Sequence, residues 1–404
     1  MKRLLVLGGS RQAEAGLARL SEMGLELVVC DIDPNAPGFA YAAHRILASV
    51  YHAQDCIPAV LAFHAHTAVD GVMCLACDVP HIVARIAKAL DLPGIDVKSA
   101  DLTVDKLAMK DRFRAHGVAV PPYRAISGLA ELEAAKTEWG DVVVKPVDSR
   151  GSKGVSLMRA ADKLAWAYDY ALENSPSGRV MAEKYLSGPQ VSTESIVIGS
   201  TAITPAMSDR SYEYLDRFAP FIVENGGDMP CELAANMKEK IAGLVGAGAK
   251  ALGIDSGIVK GDIVVHEGVP YIIELAARLS GGYFCTHQIP LSTGVDLVAG
   301  AARTALGETL QPAGWNAKFE RHVSTRWLIP ESGRITGFAR PEAVLSSPGV
   351  LAFEHWAEVG ARIGGAMNAA ASVAMVQATG DSRAQAVRNA ETALDAFALT
   401  VEAG

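Results

Sequence analysis

The sequence predicts an α/β protein in which a doubly wound parallel sheet comes first and two α+β units follow. Three observations predict this class. The first hundred residues alternate short apolar runs with helical stretches, which is typical of βαβ units. Beyond residue 100, runs of strands lie beside a few helices, which favours antiparallel sheets. Short strands and one helix close the chain, so we expect domains over residues 1–100, 101–317 and 318–404.

The N-terminal elements follow one another at short intervals. RLLVLGG predicts a strand that glycines end, EAGLARLSEMG a helix that ends at Gly24, LELVVCDID the next strand, DGVMCL a third, and VARIAKAL a helix. At the first turn, the backbone N–H groups of Gly8, Gly9 and Ser10 are placed to meet an anion. Cys74 and Cys77 form a C-x-x-C without a second pair or nearby histidines, so we predict structural thiols rather than a zinc site.

The central and C-terminal elements are predicted in the same way. A helix over DKLAMKDRFRAHG ends at Gly117 and is followed by the strands DVVVKPV, GVSLM, RVMAEKYL and VSTESIVIG. The long helix AANMKEKIAGLVGAGAKALG then leads into the hairpin GIVKGDIVVHEGVPYIIEL. HVSTRWLI and SVAMVQATG predict the last strands, and Ser382 is a suitable N-cap for the closing helix, whose apolar face carries Ala386 and Ala390.

Composition and charge exclude several classes of function. Half of the 404 residues are hydrophobic and 20% are charged, which excludes a disordered chain. The net charge of −8 leaves no basic excess for nucleic acid. No apolar run approaches the ~18 residues that span a bilayer, and six cysteines are too few for a disulfide framework. We therefore expect a cytoplasmic protein with neither nucleic-acid nor membrane partners.

The predicted hairpin carries a pair of acidic residues. Its turn is centred on Gly268, and a symmetric register sets Asp262 opposite Glu274. Strand alternation places Ala276 and Arg278 on the same face as this pair. The opposite face is apolar and suits a core, with Ile263, Val265, Ile273 and Leu275.

Two carboxylates directly opposite each other repel, so something must compensate them. Lys260 and Arg278 are placed to neutralise them in a structural network. Alternatively, the register is shifted, or a divalent cation binds between them, since Mg²⁺ takes one or two carboxylates together with phosphate oxygens. From the residues alone, these three explanations remain open.

Cationic residues and glycines mark three further candidate sites. Arg278 precedes Gly281 and Gly282, an arrangement that suits an anionic substrate group, although an ordinary salt bridge followed by a turn is the alternative. Lys145 lies in the apolar strand VVVKPV, where a buried ammonium needs an anion. The loop over residues 149–154, SRGSKG, suits a mobile cover for phosphate, and a plain hairpin loop is its alternative.

Taken together, these motifs resemble the ATP-grasp superfamily in order and spacing over most of the chain. The resemblance implies a Rossmann-like N-terminal domain, an ATP-grasp α+β central domain and a small α+β C-terminal domain. It also implies nucleotide-binding roles for two lysines, the glycine loop and the AEKYLSG hinge, namely for Lys106, Lys145, Ser152, Lys153, Glu183, Lys184, Tyr185 and Leu186. Asp262 and Glu274 coincide with the paired magnesium ligands of the family, and Arg278 with the arginine four residues further on.

The branch that this sequence resembles is that of the carboxylate–amine ligases, including L-amino acid ligases. ELAARLSGG is similar to their Glu-x-x-x-Arg-x-x-Gly-Gly motif, and the C-terminal region to their last domain. One departure is Ala276, where many family members carry a metal-ligating Asn. The resemblance implies that Arg278 and Lys145 are catalytic. We expect substrate contacts from Arg278, Gly281, Gly282, Arg210 and Glu224.

The implied activity is that of an ATP-dependent ligase. A substrate carboxylate attacks ATP to give an acyl phosphate, and an amine then displaces phosphate. ATP and Mg²⁺ (or Mn²⁺) are the implied cofactors, small-molecule carboxylates and amines the partners, and a homodimer the expected assembly.

Three alternatives are weighed against this activity. The first is an ATP-grasp carboxylase or carbamoyl-phosphate-type enzyme acting on bicarbonate. The second is a non-catalytic nucleotide sensor, which Ala276 motivates. The third is a dinucleotide-dependent dehydrogenase, suggested by Asp31 some twenty residues after Gly9 but opposed by the lack of G-x-G-x-x-G.

Overall fold

The computed structural model describes residues 1–160, 163–368 and 371–403. Its N-terminal part contains a four-stranded parallel sheet with the strand order β3-β2-β1-β4. The strands are β1 (Arg3–Leu7), β2 (Glu26–Asp31), β3 (His44–Leu47) and β4 (Gly71–Cys74). The helices α1 (Glu14–Glu22), α2 (Ala53–His66) and α3 (Pro80–Ala89) connect and follow them. The predicted parallel sheet is confirmed. The prediction overlooked β3, because HRIL is short and half polar.

A second, antiparallel sheet of four strands follows, in the order β5-β8-β6-β7. Its strands are β5 (Tyr123–Ile126), β6 (Val142–Pro146), β7 (Ser156–Met158) and β8 (Val180–Lys184). The helices α6 (Leu129–Trp139) and α7 (Leu164–Glu173) pack on this sheet, and α4 (Val97–Leu102) and α5 (Lys106–Ala115) precede it. Asp105 caps α5 by accepting a hydrogen bond from the N–H of Ala108, so this helix begins at Lys106.

The largest sheet has eight strands in the order β13-β12-β9-β10-β11-β14-β18-β16. These are β9 (Gln190–Ile198), β10 (Thr201–Ser211), β11 (Gly226–Met229), β12 (Ser256–His266), β13 (Val269–Ala276), β14 (His322–Leu328), β16 (Val350–His355) and β18 (Ala374–Gly380). The helices α8 (Ala235–Ala251), α9 (Ile289–Thr293) and α10 (Leu297–Ala305) belong to this region, with a π-helical turn over Phe284–Gln288. Because β14 pairs with β11, the sheet continues across residue 317, and the predicted domain limits stay a prediction.

The C-terminal part adds a small sheet in the order β17-β15-β19. It consists of β15 (Gly333–Gly337), β17 (Arg362–Ile363) and β19 (Thr400–Glu402), with the helices α11 (Pro341–Leu345) and α12 (Arg383–Ala396). Ser382 accepts a hydrogen bond from the N–H of Gln385 and so caps α12, as predicted. Ala386 and Ala390 of this helix are buried, as expected for its apolar face.

One hydrophobic core joins the N-terminal sheet to the rest of the molecule. Side chains of β1 and β2 share a buried cluster with residues of β12, α10 and the loop after β13, including Leu4, Val6, Val29, Ile258, Leu279 and Leu297. Continuous burial of this kind is favourable by about 25 cal/mol for each Å² of apolar surface. The N-terminal sheet is therefore fixed against the large sheet, and its loops reach the same cavity.

The hairpin β12–β13 holds the predicted pairing for a reason that the sequence did not reveal. Near the turn, His266 pairs with Val269 and Ile263 with Ile272, a register one residue short of the symmetric one. A β-bulge at Ile273 then restores the offset, and Asp262 lies opposite Glu274 as predicted. The bulge turns Ile273 and Glu274 to the same side. The expectation that Ile273 belongs to the core is therefore wrong, because its side chain lines a cavity.

Candidate active site

A cavity of about 300 Å³ lies where the N-terminal sheet, the four-stranded sheet and the large sheet meet. Most predicted site residues line it: Lys106, Lys145, Ser152, Glu183, Lys184, Tyr185, Leu186, Arg210, Glu224, Asp262, Glu274 and Arg278. Three others do not belong to this wall, namely Lys153, Gly281 and Gly282. The wall also contains residues that the prediction did not include, among them Asp78, Lys260 and Tyr212. The structure thus brings together residues from all three sheets.

The most deeply buried charges of the site belong to Glu183 and two lysines. One carboxylate oxygen of Glu183 contacts the ammonium of Lys110 and the other that of Lys145, and all three residues are less than 5% exposed. Burial alone would raise the pKa of Glu183, but the two lysines outweigh it and lower this pKa. Burial lowers the pKa of Lys110 to about 8. The group carries one net positive charge, which favours an anion in the adjoining cavity.

Lys110 was not predicted, although a signal existed in the sequence. It follows Lys106 by four residues on α5, so the two side chains lie on one helix face. Glu183 was predicted to bind nucleotide as part of the AEKYLSG hinge. Its carboxylate is instead engaged by the lysines, while the residue still contributes to the cavity wall.

Lys106 connects the glycine loop to the acidic pair. Its ammonium donates a hydrogen bond to the carbonyl oxygen of Ser149 (2.6 Å) and lies 3.5 Å from a carboxylate oxygen of Glu274. Its backbone N–H donates to the carbonyl of Val147 (3.0 Å). One cation at the start of α5 therefore faces both the loop predicted to cover phosphate and the carboxylate predicted to hold metal.

Asp262 is neutralised by two basic side chains. Its Oδ1 lies 2.8 Å from a guanidinium nitrogen of Arg210 and also contacts the ammonium of Lys260. Burial would raise the pKa of Asp262, but these two cations outweigh it and hold the pKa well below its usual range. Of the three explanations for the acidic pair, the ionic network is present with Lys260. Its second member is Arg210, which also binds Glu224 at 2.6 Å, and not the expected Arg278.

Arg278 instead pairs with an acid of the N-terminal domain. Its Nε donates to Oδ1 of Asp78 (2.9 Å), and its Nη1 donates to the carbonyl of Leu279 (3.0 Å). Burial would raise the pKa of Asp78, but Arg278 outweighs it and the pKa is lowered. Asp78 follows β4, two hundred residues before its partner, so no local pattern in the sequence could have found it.

The donor set fits a magnesium ion that arrives together with phosphate. Within residues 1–160, 163–368 and 371–403, no group of three or more His, Cys, Asp or Glu side chains is arranged to hold a metal ion. Asp262 and Glu274 supply two carboxylates to the cavity, and Ala276 supplies no ligand. Mg²⁺ commonly takes one or two carboxylates and completes its octahedron with phosphate oxygens and water. Two carboxylates are therefore sufficient here.

At the first glycine turn, two of the three N–H groups expected to meet an anion are engaged within the protein. The N–H of Gly8 donates to the carbonyl of Cys30 (2.9 Å), and the N–H of Gly9 donates to Oδ2 of Asp31 (2.8 Å). Asp31, considered above as a ribose-binding acid, thus closes the turn internally. Cys74 and Cys77 are buried and form no disulfide, and their role as structural thiols stays a prediction.

Comparison with known proteins identifies the family. A family model described as an ATP-grasp domain matches residues 103–282, and one described as L-amino acid ligase C-terminal domain 2 matches residues 326–402. A D-alanine–D-alanine ligase from Gloeobacter violaceus is 30% identical over 229 residues, which cover 54% of this chain and 69% of that ligase. The chain belongs to the ATP-grasp family. The predicted family and the predicted enzyme class, a ligase, are confirmed by these matches.

Other relatives place the chain within the ATP-grasp fold. The structure of the L-amino acid ligase from Bacillus licheniformis matches with a TM-score of 0.85 at 20% identity. The match covers 100% of this chain and 99% of that one. A protein of Sinorhizobium fredii, y4rH, is 29% identical over 231 residues, or 56% of this chain. The chain spans about half of that relative's length (46%). The ATP-grasp architecture predicted for the central domain is therefore confirmed.

None of the described helices combines the length and hydropathy needed to cross a membrane.

Proposed function

We propose that this protein is an ATP-dependent ligase that joins a small-molecule carboxylate to an amine through an acyl phosphate. One observation carries this proposal. Asp262 and Glu274 face each other across a hairpin, in the wall of a cavity that also contains Lys106, Lys145 and Arg278. Paired carboxylates beside several buried cations are what a polyphosphate and its divalent ion require.

The reaction runs in two balanced steps. A carboxylate oxygen of the substrate attacks the γ-phosphorus of ATP, the bond from this phosphorus to the β-phosphate oxygen breaks, and ADP leaves. The amine nitrogen then attacks the acyl carbon, inorganic phosphate leaves, and the nitrogen loses its proton. The products are an amide, ADP and phosphate.

The basic side chains of the cavity offset the repulsion between the reacting anions. A carboxylate about 4 Å from one phosphate charge is repelled by about 4 kcal/mol at an effective dielectric constant of ~20. Lys145 and Lys106 are placed to bind phosphate oxygens, and Arg278 to orient the attacking carboxylate. The loop 149–154, tied to Lys106 through Ser149, would exclude water that hydrolyses the acyl phosphate.

Asp262 and Glu274 would hold Mg²⁺ (or Mn²⁺). When bound, the ion supplies positive charge to the β- and γ-phosphate oxygens. Binding requires Arg210 and Lys260 to share Asp262 with the ion, since both contact its Oδ1 in the structure described above. The ammonium of Lys106 lies 3.5 Å from a carboxylate oxygen of Glu274 and would share the second carboxylate with the ion in the same way.

A hydroxylamine trap tests the proposal. The protein is incubated with ATP, Mg²⁺, hydroxylamine and a panel of carboxylic acids that includes the proteinogenic L-amino acids. We expect hydroxamate with one or more acids, together with equimolar ADP and phosphate. AMP and pyrophosphate as products would contradict the acyl phosphate, and turnover with bicarbonate alone would favour the carboxylase. Nucleotide binding without turnover would favour the sensor.

Glu274→Ala tests the proposed metal site through the loss of Mg²⁺-dependent activity. Removing one of two metal-binding carboxylates should lower Mg²⁺-dependent phosphate release by roughly 10²–10³-fold. The control is Glu239→Ala, which removes an exposed carboxylate from α8, away from the cavity. Activity retained in Glu274→Ala would refute the proposed metal site.

The remaining expectations are part of the same proposal. Six unpaired cysteines and a requirement for ATP support a cytoplasmic location. The homodimer stays a prediction, which the molar mass in solution tests.

A further inference from the structure

The loop that follows Arg278 is held from several directions at once. The backbone N–H of Ser280 donates to one carboxylate oxygen of Glu194 (2.8 Å), and the hydroxyl of Ser280 donates to the other. The thiol of Cys285 donates to the carbonyl of Ser280 (2.9 Å). Two residues later, the N–H of Gly282 donates to Oε1 of Gln12 (3.1 Å). Three of these contacts fix a backbone group of the loop, and the fourth fixes the side chain of Ser280.

The two anchoring side chains come from different parts of the molecule. Glu194 lies on β9 and is fully buried, and it lies opposite Lys260 of the hairpin β12–β13. Gln12 lies in the short helical turn Arg11–Ala13 after β1. The loop thus joins the large sheet to the N-terminal domain. It starts at Arg278, whose guanidinium lines the cavity.

Burying a carboxylate without a directly paired cation is costly, so the carboxylate of Glu194 needs hydrogen bonds that offset the lost hydration. Its two hydrogen bonds from Ser280 are the compensation that the structure shows. Lys260 and Arg278 also act on it electrostatically. A carboxylate that accepts a backbone N–H and a hydroxyl of one residue fixes both the position and the orientation of that residue.

We propose that Glu194 and Gln12 are positioning residues that fix the Ser280–Gly282 backbone, and thereby the position of Arg278, whose guanidinium lines the cavity and would bind the anionic group of the substrate. The last clause rests on the proposed ligase function. Neither residue belongs to the cavity wall, so both act through the loop. Flexible glycines at 281 and 282 make such external anchoring necessary, because they impose little conformation of their own.

Gln12 offers the first test, because it is partly exposed and its substitution should not prevent folding. In Gln12→Ala, the KM for the carboxylate that gives the most hydroxamate should rise roughly three- to tenfold, as expected for one lost hydrogen bond. The KM for ATP should stay within about twofold. Gln12→Glu retains an acceptor for the N–H of Gly282, so its KM for the carboxylate should stay closer to that of the wild type than the KM of Gln12→Ala does. An equal rise in both KM values, or none in either, would overturn the proposal.

Glu194 provides the second test. In Ser280→Ala the hydroxyl contact with Glu194 is lost, so the same KM should rise with little effect on that for ATP. In Glu194→Gln one oxygen remains to accept from the N–H of Ser280, so the rise should be smaller. Ser195→Ala is the matched control, since this buried hydroxyl of the same strand bonds Thr204 and not the loop.

Hydrogen–deuterium exchange separates this inference from the proposed function. The amides of residues 280–282 should exchange faster in Gln12→Ala and Ser280→Ala than in the wild type, while Ser195→Ala leaves them unchanged. Unchanged exchange in the first two variants would overturn the anchoring even if the ligase is active. If the wild type releases no phosphate with any acid, the ligase proposal fails, and the exchange result still decides whether the two residues anchor the loop.

Discussion

At the scale of single residues, the pKa values of two buried glutamates near the cavity are shifted in opposite directions. Glu183 lies between two lysines, and its pKa is lowered. Glu194 accepts hydrogen bonds from Ser280 but has no ammonium or guanidinium in direct contact among its described partners. Burial therefore dominates and raises the pKa of Glu194 to about 7. The two carboxylates should respond differently to pH and to substitution.

Glu194→Gln should change how stability depends on pH. A carboxyl group whose pKa is higher in the folded state binds more protons there, so its contribution to stability is present at low pH and is lost as pH rises through about 7. The free energy of unfolding of the wild type should therefore fall relative to that of Glu194→Gln between pH 5 and 8. Urea titrations at several pH values measure this difference. A constant difference would contradict the raised pKa.

Glu183→Gln should destabilise the protein more than Lys110→Met. The first change leaves two buried ammonium groups without a counter-charge, and breaking a buried ion pair in this way costs about 3–5 kcal/mol. The second leaves a balanced pair between Glu183 and Lys145, so its cost should be smaller, about 1–2 kcal/mol. Urea unfolding compares the two variants. A larger loss in Lys110→Met would show that Lys110, not Glu183, carries the greater part of the network.

How far single residues could be predicted depended on whether their partners were local. A lysine within an apolar strand indicated an anionic partner, and Lys145 indeed lies in the cavity wall. Its partner Glu183 lies on a neighbouring strand, and Asp78 reaches Arg278 from another domain, so neither contact leaves a pattern in the sequence. Tertiary packing alone determines such pairs.

At the scale of elements, the hairpin β12–β13 shows what a register argument can and cannot provide. Strand alternation and the position of Gly268 were enough to predict the partner of Asp262. The bulge was not foreseen, because both Ile272 and Ile273 are apolar and suit a core equally well. The structure buries Ile272 and turns Ile273 to the cavity, so the side of a residue next to a bulge depends on geometry rather than on composition.

Deleting one of these two isoleucines should be tolerated. The shortened strand regains regular alternation, with Ile272 buried and Glu274 still opposite Asp262, so the unfolding free energy should fall by no more than about 2 kcal/mol. The cavity loses an apolar side chain, and the Kd for MgADP should rise a few-fold. Ile273→Ala, which retains the bulge, should weaken binding similarly. Isothermal titration calorimetry measures both. Loss of all metal-dependent binding in the deletion would contradict the preserved pairing.

At the scale of the whole molecule, the N-terminal domain supplies contacts to both ends of the site. Asp78 pairs with Arg278, and the ring of Tyr51 lies 3.7 Å from the guanidinium carbon of Arg150 in the glycine loop. Tyr51 is 41% exposed, so its ring contacts Arg150 at the surface of the protein. The N-terminal domain therefore also contacts the glycine loop, which the sequence did not predict.

Tyr51→Leu should weaken the hold on the glycine loop. A cation–π contact at an exposed site contributes about 0.5–1 kcal/mol, so the KM for ATP should rise roughly two- to fivefold. Tyr41→Leu is the matched control, because Tyr41 is similarly exposed in the same domain. Steady-state kinetics with saturating carboxylate and amine measures the change. Equal effects of the two substitutions would exclude a specific role for Tyr51.

The overall organisation could be predicted in class but not in connectivity. Apolar runs and turn residues predicted the parallel sheet, the antiparallel strands and the closing helix. They did not show that β14 and β18 extend the same large sheet, because those pairings join strands far apart in the chain and depend on long-range packing. The same is true of the shared core that fixes the N-terminal sheet in place.

The ion pair between Asp78 and Arg278 has a consequence for attempts to dissect the protein. A fragment that begins at residue 101 would retain Asp262, Glu274 and every lysine of the cavity, but its Arg278 would lose the carboxylate that neutralises it. The same cut would expose the apolar surface of β12 and α10 that now packs against β1. Such a fragment should aggregate or bind nucleotide poorly, although it carries the full ATP-grasp match. We therefore expect nucleotide recognition to require the joined domains, so that transplanting the central domain alone would not carry it over.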